Sequence, residues 1–227
     1  MLRTCIDVLP SRYFTTSIWN REQLEGLGVD AAIVPPGIDL DVFRRLDRVR
    51  SPDALLAIGR SHALKNLALT IEAWQSLGDR PMWLFGSEPE LGPRYGTRYV
   101  ERPDDERVNE LLNEAAIFVQ SSSHEGFCLP ILEAMAAGLP VVCTDAHGNR
   151  DACRDHANCL LVPATAAALA AGIKAISDDP ALRERLVAGG LQTAAQYGWE
   201  RCTDQLEQAL EQIASGARSN GGAATGS

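Results

Sequence analysis

Two carboxylates, Glu125 and Glu133, bracket the run Glu125-Gly-Phe-Cys-Leu-Pro-Ile-Leu-Glu133, which leads from a loop into a helix. A glycine-containing turn at a helix N-terminus gathers unpaired N–H groups, and negative charge is stabilised there. Gly126, Phe127, Cys128 and Leu129 present successive N–H groups to an anion or to sugar hydroxyls. Carboxylates beside such an anion site suit a ligand with both phosphates and hydroxyls. A nucleotide-sugar offers that combination.

A second set lies upstream. Gly59-Arg60 follows an apolar stretch, and Lys65 stands five residues on, at the start of a helix. Arg supplies a planar fork for phosphate oxygens and Lys a mobile point charge, so both can reach one pyrophosphate. Each residue also has a routine structural role. Arg60 and Lys65 could be surface cations. Ser122 to Glu125 has capping-box spacing. Glu133, placed in about the first helical turn, would gain ~0.3–1 kcal/mol from the helix dipole. Converging at the ends of strands, the four make those separate roles less persuasive. No Gly-x-Gly-x-x-Gly follows a strand and no Walker sequence is present, so the two commonest phosphate loops are absent.

The elements that must position these groups alternate. Ala54–Ile58, Pro81–Phe85, Thr97–Val100, Ala116–Gln120, Leu139–Cys143 and Cys159–Val162 read as strands. Helices are expected over Asn66–Leu77, Asp104–Asn113 with Asp104 as N-cap, and Leu129–Ala137 with Pro130 in the first turn. Wholly apolar strands separated by helices imply a parallel sheet covered on both faces. The fold class is therefore α/β, a doubly wound, Rossmann-like parallel sheet. Ligands bind such sheets beyond the carboxyl ends of the strands. The loops that matter are 59–65, 86–90, 101–104, 121–129 and 144–151.

Outside that body, Tyr13–Ile18 and Ala31–Val34 are strand-like, Arg21–Leu27 is helical, and Pro35-Pro-Gly-Ile-Asp39 is a rigid turn. The expected organisation is a remnant of a preceding domain and linker over 1–50, and a nucleotide-sugar-binding domain over 51–196. A C-terminal helix over 197–214 and a disordered Gly/Ser/Ala-rich tail over 215–227 complete it.

Composition sets further bounds. The chain has 227 residues, 45% of them hydrophobic, which is enough for a conventional core. Its net charge of -9 argues against nucleic acid as a partner. The six cysteines form no C-x-x-C pair, so no metal site is expected and reduced thiols are the expected state. No signal peptide and no transmembrane segment are read. The expected location is cytoplasmic, peripheral at most to the inner face of a membrane.

Gly59-Arg60 with Lys65, and the run from Glu125 through Glu133 into Ala-Met-Ala-Ala-Gly-Leu-Pro-Val-Val, resemble the C-terminal domain of retaining glycosyltransferases of family 4, which have the GT-B fold. Pro35–Asp39 is similar to that family's linker, and Tyr197-Gly-Trp199 to the bend before its last helix. The resemblance implies the C-terminal half of a GT-B architecture. It implies that Arg60 and Lys65 bind the donor diphosphate and that Glu133 accepts from the ribose hydroxyls. Glu125 would stand beside the donor sugar as the catalytic residue, with the N–H groups from Phe127 to Leu129 lining the pocket. No cofactor and no metal are implied; the nucleotide-diphosphate sugar is a substrate. The family commonly has glycine where Cys128 stands, so a side chain there is expected to narrow the pocket or to change the sugar it prefers. His124 reads as a surface histidine or as a contact one step behind the ligand, and Asp145–Asp151 replaces a glycine-rich segment.

Family members also carry an N-terminal domain that supplies much of the acceptor site, so an N-terminal-domain partner chain is among the expected partners. The isolated chain is expected to transfer sugar slowly or not at all. The alternative is a catalytically silent, truncated or partner-binding half-domain. A GT-B nucleotide-sugar epimerase fits the Glu125–Glu133 flanks less well.

Overall fold

The computed structural model describes residues 13–220. Six strands, β3 (Leu55–Ile58), β4 (Met82–Gly86), β5 (Arg98–Glu101), β6 (Ile117–Gln120), β7 (Val141–Thr144) and β8 (Leu160–Val162), form one parallel sheet. Its order is β5-β4-β3-β6-β7-β8. The chain starts in the middle at β3, winds out to β5, then returns to lay β6 against β3. The switch point thus lies between β3 and β6, and a doubly wound sheet opens its crevice there.

Strand alternation divides the core. Leu55, Ala57, Leu84, Ile117, Val119 and Val142 point to one face, where they meet Leu67 and Ile71 of the helix Leu67–Gln75. Leu169 and Ile173 of the helix Ala166–Asp178 and Leu186 of the helix Pro180–Ala194 pack on the same face. Leu56, Phe118, Val141 and Cys143 point to the other face. There they meet Leu111 and Leu112 of the helix Asp105–Glu114, and Ile131, Leu132 and Met135 of the helix Leu129–Ala136. Asp104 caps its helix as expected, its carboxylate accepting from Arg107 N at 2.9 Å.

Several boundaries depart from the sequence reading. The first strand ends at Thr15, because Ser17 caps a helix over Ile18–Glu25 and accepts from Asn20 N at 3.3 Å. The helices Leu91–Tyr95 and Ala166–Asp178 have no counterpart among the expected elements. The last helix runs over Trp199–Asn220, so the tail expected to be disordered from Ser215 is helical as far as Asn220. Residues 221–227 lie outside the described residues.

The segment before β3 is held onto this body. β1 (Tyr13–Thr15) and β2 (Ala31–Ile33) pair in parallel as a separate two-stranded sheet. Thr16 Oγ1 and Asn20 Nδ2 donate to Gly126 O at 3.1 and 3.2 Å. Ile18 N donates to Asp151 Oδ2 at 2.8 Å. The linker is zipped to the last bend: Ile38 N donates to Tyr197 O at 2.8 Å and Trp199 N to Ile38 O at 3.0 Å. Gly37 is required there, since a Cβ would stand 2.8 Å from the Trp199 ring.

Candidate functional site

The loops after β3 and β6 meet at the switch point. After β3, His62 caps a 3-10 turn over Ala63–Lys65, its Nδ1 accepting from Leu64 N at 3.3 Å. After β6, Ser123 N donates to Leu64 O at 2.9 Å, and Ser121 Oγ donates to Asn66 O at 2.9 Å. These bonds bring Lys65 to Glu125, with Nζ 2.7 and 2.9 Å from its two carboxylate oxygens. Gln120 Nε2 donates to the same carboxylate at 2.9 Å.

Arg60, Lys65, Glu88, His124, Glu125 and Gly126 line a cleft of about 640 Å³ at this end of the sheet. Arg60 is exposed and makes no ion pair or hydrogen bond with the described residues. Glu88, from the loop after β4, accepts from Ser61 N at 3.0 Å, and Ser61 holds its carboxyl below the ordinary range. The β3 and β4 loops approach this closely because of two glycines. A Cβ on Gly59 would overlap the Tyr99 ring at 2.5 Å, and one on Gly86 would lie 2.7 Å from Gly59 O.

The two carboxylates at the ends of the run differ. Glu125 is not a capping group: the helix begins at Leu129 and Ser122 is buried, its Oγ accepting from Gln120. Glu133 falls in the second helical turn rather than the first, which removes the helix-dipole explanation. It is partly buried and lies outside the residues lining the cleft. Burial, with Asp105 adding to it, pushes its carboxyl up to about 7. No described residue donates a hydrogen bond to that carboxylate. Its carboxylate oxygens therefore keep open lone pairs that hydroxyl donors can fill.

Between the two carboxylates, Gly126 is exposed while Phe127 and Cys128 are buried. Phe127 packs edge-on against Tyr197 at 5.3 Å between centroids. Leu129 opens the helix at half exposure. The N–H groups of Phe127, Cys128 and Leu129 donate to no described residue. Cys128 sits at φ 85° and ψ 67°, in the left-handed region where glycine is at ease. Its thiol is buried in the core rather than lining the cleft, so the expected narrowing of the pocket by this side chain does not occur.

Several site neighbours carry no local sequence signal. Trp19 packs over the loop ends, stacked on His147 at 4.9 Å and edge-on to His124 at 4.9 Å. His147 has φ 66°, and its Nδ1 is buried without a partner. Its neighbour Gly148 is required by packing, because a Cβ there would overlap the carbonyl oxygens of Glu125 and Gly126. Glu125 N donates to Ala146 O at 2.9 Å and Gly148 N to Glu125 O at 3.2 Å, so the loop after β7 braces Glu125 from behind.

A cavity of about 610 Å³ opens at the opposite, N-terminal ends of the strands, beside Arg45, Arg50 and Arg183. Arg50 donates there to the carbonyls of Leu112, Ala115, Ala137 and Gly138, a structural use of its charge. Burial lowers its pKa to about 10, with Arg45 adding to the effect. The chemistry-bearing side chains collect at the other end of the sheet. No helix among the described residues is long and apolar enough to cross a membrane.

A family model described as Glycosyl transferases group 1 matches residues 42–193. The chain is 30% identical over 241 residues to the phosphatidyl-myo-inositol mannosyltransferase of Mycobacterium tuberculosis, covering 96% of this chain and 64% of that protein. It therefore spans less than two thirds of that relative's length. Among solved structures, sucrose-phosphate synthase from Thermosynechococcus elongatus superposes with a TM-score of 0.80 at 24% identity, covering 89% of this chain and 58% of that one. Anabaena Alr3699/HepE, solved in complex with UDP-glucose, gives 0.82 at 18% identity, covering 93% and 67%. These two likenesses establish a common GT-B fold.

Proposed function

We propose a donor-binding role for this chain, which belongs to the group 1 glycosyl transferases: its cleft holds a nucleotide-diphosphate sugar for retaining transfer of a hexose to an acceptor. The observation that carries this reading is the Lys65–Glu125 pair at the switch point, with the unpaired Arg60 beside it. Departure of the leaving group puts negative charge on a pyrophosphate. Lys65, held by Glu125, and the free N–H groups from Phe127 to Leu129 are preorganised to stabilise that charge as it forms, and the exposed Arg60 adds a second cation at the cleft. Lys65 has three donors, so it can keep Glu125 oriented while reaching a phosphate oxygen. Glu125 then stands beside the sugar, and the partnerless Glu133 accepts from ribose hydroxyls.

The superposition on a protein solved with UDP-glucose, and the similarity to a mannosyltransferase, support a nucleotide-sugar donor and a hexose. We read the chain as the C-terminal half of a family 4 enzyme. The segment over 13–34 and the linker zipped to Tyr197–Trp199 are the features that would join it to an N-terminal domain bearing the acceptor. A cytoplasmic setting follows from the same reading, because nucleotide-sugars of this kind would be drawn from that compartment.

Calorimetric titration with UDP, GDP and ADP, and with their sugars, tests the proposal. Submillimolar binding of at least one, weakened by Arg60→Ala, is expected. If none binds below millimolar and Arg60→Ala changes nothing, the chain is a silent half-domain.

A further inference from the structure

We propose that Cys143, Cys153 and Cys159 form a thiolate site for one soft divalent d10 cation of the kind represented by Zn²⁺. Cys143 lies in β7, Cys153 follows the 3-10 turn Gly148–Asp151, and Cys159 immediately precedes β8. Their Sγ atoms all lie within 4.8 Å of one another, and those of Cys143 and Cys153 are 3.9 Å apart. Metal–thiolate bonds of about 2.3 Å set the sulfurs of a trigonal or tetrahedral site about 3.8–4.0 Å apart. One pair already meets that spacing, and a small contraction brings in the third.

The donor set decides the ion class. All three thiols are buried and none is in a disulfide. A disulfide would use two sulfurs and leave the third without a role, whereas one cation uses all three. Among the described residues no carboxylate or imidazole joins the group, so its chemistry is soft and does not suit Mg²⁺ or Ca²⁺. Asn149 Nδ2 stands 4.0 Å from Cys143 Sγ and also donates to Thr144 O at 2.9 Å. An amide anchored in this way is the type of outer group that orients a ligating sulfur.

The three cysteines come from positions 143, 153 and 159, a spacing that matches no local zinc motif. The absence of a C-x-x-C pair speaks only to contiguous zinc motifs, not to cysteines gathered by the fold. The segment they bracket carries Ala146 and Gly148, the main-chain partners of Glu125. A bound cation would brace the loop behind the cleft without touching a donor.

The test uses the whole chain, reduced, stripped with a chelator and titrated with Cd²⁺, followed by competition with Zn²⁺. One equivalent is expected, with a thiolate-to-metal charge-transfer band sized for three sulfurs. Cys143→Ser, Cys153→Ser and Cys159→Ser should each shrink the band and weaken binding by at least about tenfold. Cys202→Ser, at a buried cysteine outside the cluster, should change neither. Native mass spectrometry of the unaltered chain counts bound ions even where a variant fails to fold. No band and no bound ion in the reduced protein, or a band that survives all three substitutions, overturns the proposal.

Discussion

Lys65 Nζ lies 2.7 and 2.9 Å from the two carboxylate oxygens of Glu125, and the pair spans the boundary between β3 and β6. The two residues are 60 positions apart in the chain. Their side chains are 24% and 11% exposed, so the contact is shielded from water more than a surface ion pair. It joins the two halves of the doubly wound sheet at the place where the sheet opens.

Lys65→Ala should therefore differ from Arg60→Ala. Removing Lys65 leaves Glu125 with Gln120 as its remaining side-chain donor and should destabilise the fold by about 1–3 kcal/mol. Arg60 is exposed and unpaired among the described residues, so Arg60→Ala should change stability by no more than about 0.5 kcal/mol. Both should lose affinity for a nucleoside diphosphate, by about 1.5–3 kcal/mol for each charged contact. Urea unfolding separates the two variants; calorimetry shows what they share.

Glu133 predicts a pH dependence with a definite sign. Burial raises its folded pKa to about 7 from an ordinary 4.5. The folded state then binds the proton more tightly than the unfolded state. The stability from that proton is fully present below pH 4.5 and is lost as pH rises to about 7. Glu133→Gln should remove this slope, adding at most about 3 kcal/mol at pH 8 and nothing at pH 4. Denaturant midpoints at those two pH values measure it. If Glu133 accepts from a ribose, the same variant should reduce the preference for UDP over its 2′-deoxy analogue.

Gly148→Ala should damage the site through sterics alone. The added methyl overlaps the carbonyls of Glu125 and Gly126, so the run that carries Glu125 must shift. Overpacking of this kind costs about 1–3 kcal/mol. The loss of nucleotide affinity should persist at low temperature, where the variant is fully folded, and titration there distinguishes displacement of the site from simple instability.

Cys128 tests the left-handed backbone. A non-glycine residue in this region costs roughly 1–2 kcal/mol, and removing a small buried side chain costs a comparable amount. Cys128→Gly should thus be within about 1 kcal/mol of the parent. Cys128→Val, β-branched at φ 85°, should be destabilised by about 2 kcal/mol or more. Thermal unfolding of the pair gives the comparison.

Much of the architecture was legible in the chain because it depends on local burial periods. Apolar runs such as Ala54–Ile58 and Ala116–Gln120 marked strands to within a residue, and Asp104 marked a helix start. The helix Ala166–Asp178 has no counterpart among the expected elements, although Leu169, Ile173 and Ile176 recur at helical spacing and Thr165 caps its start. At the site, Arg60, Lys65, Glu125 and Glu133 were legible as residue types, but their states were not. Local spacing offers Glu125 a capping role and Glu133 a helix-dipole role; the helix starts at Leu129 as expected, which puts Glu133 in the second turn, and Ser122 is engaged by Gln120 instead.

The sequence by itself determined the six strands of the sheet and most of the helices between them, and hence that a parallel α/β sheet would place the chemistry-bearing loops at one edge. Only the tertiary structure decided which of those loops face each other. Strand order puts β6 beside β3, and that adjacency pairs Lys65 with Glu125 and closes the loop after β7 onto Gly126. It also gathers Cys143, Cys153 and Cys159 and lays Trp19 on His147. A residue's burial period is written in its immediate neighbours, but its contacts depend on chain segments far away in sequence. They are set when the whole sheet assembles.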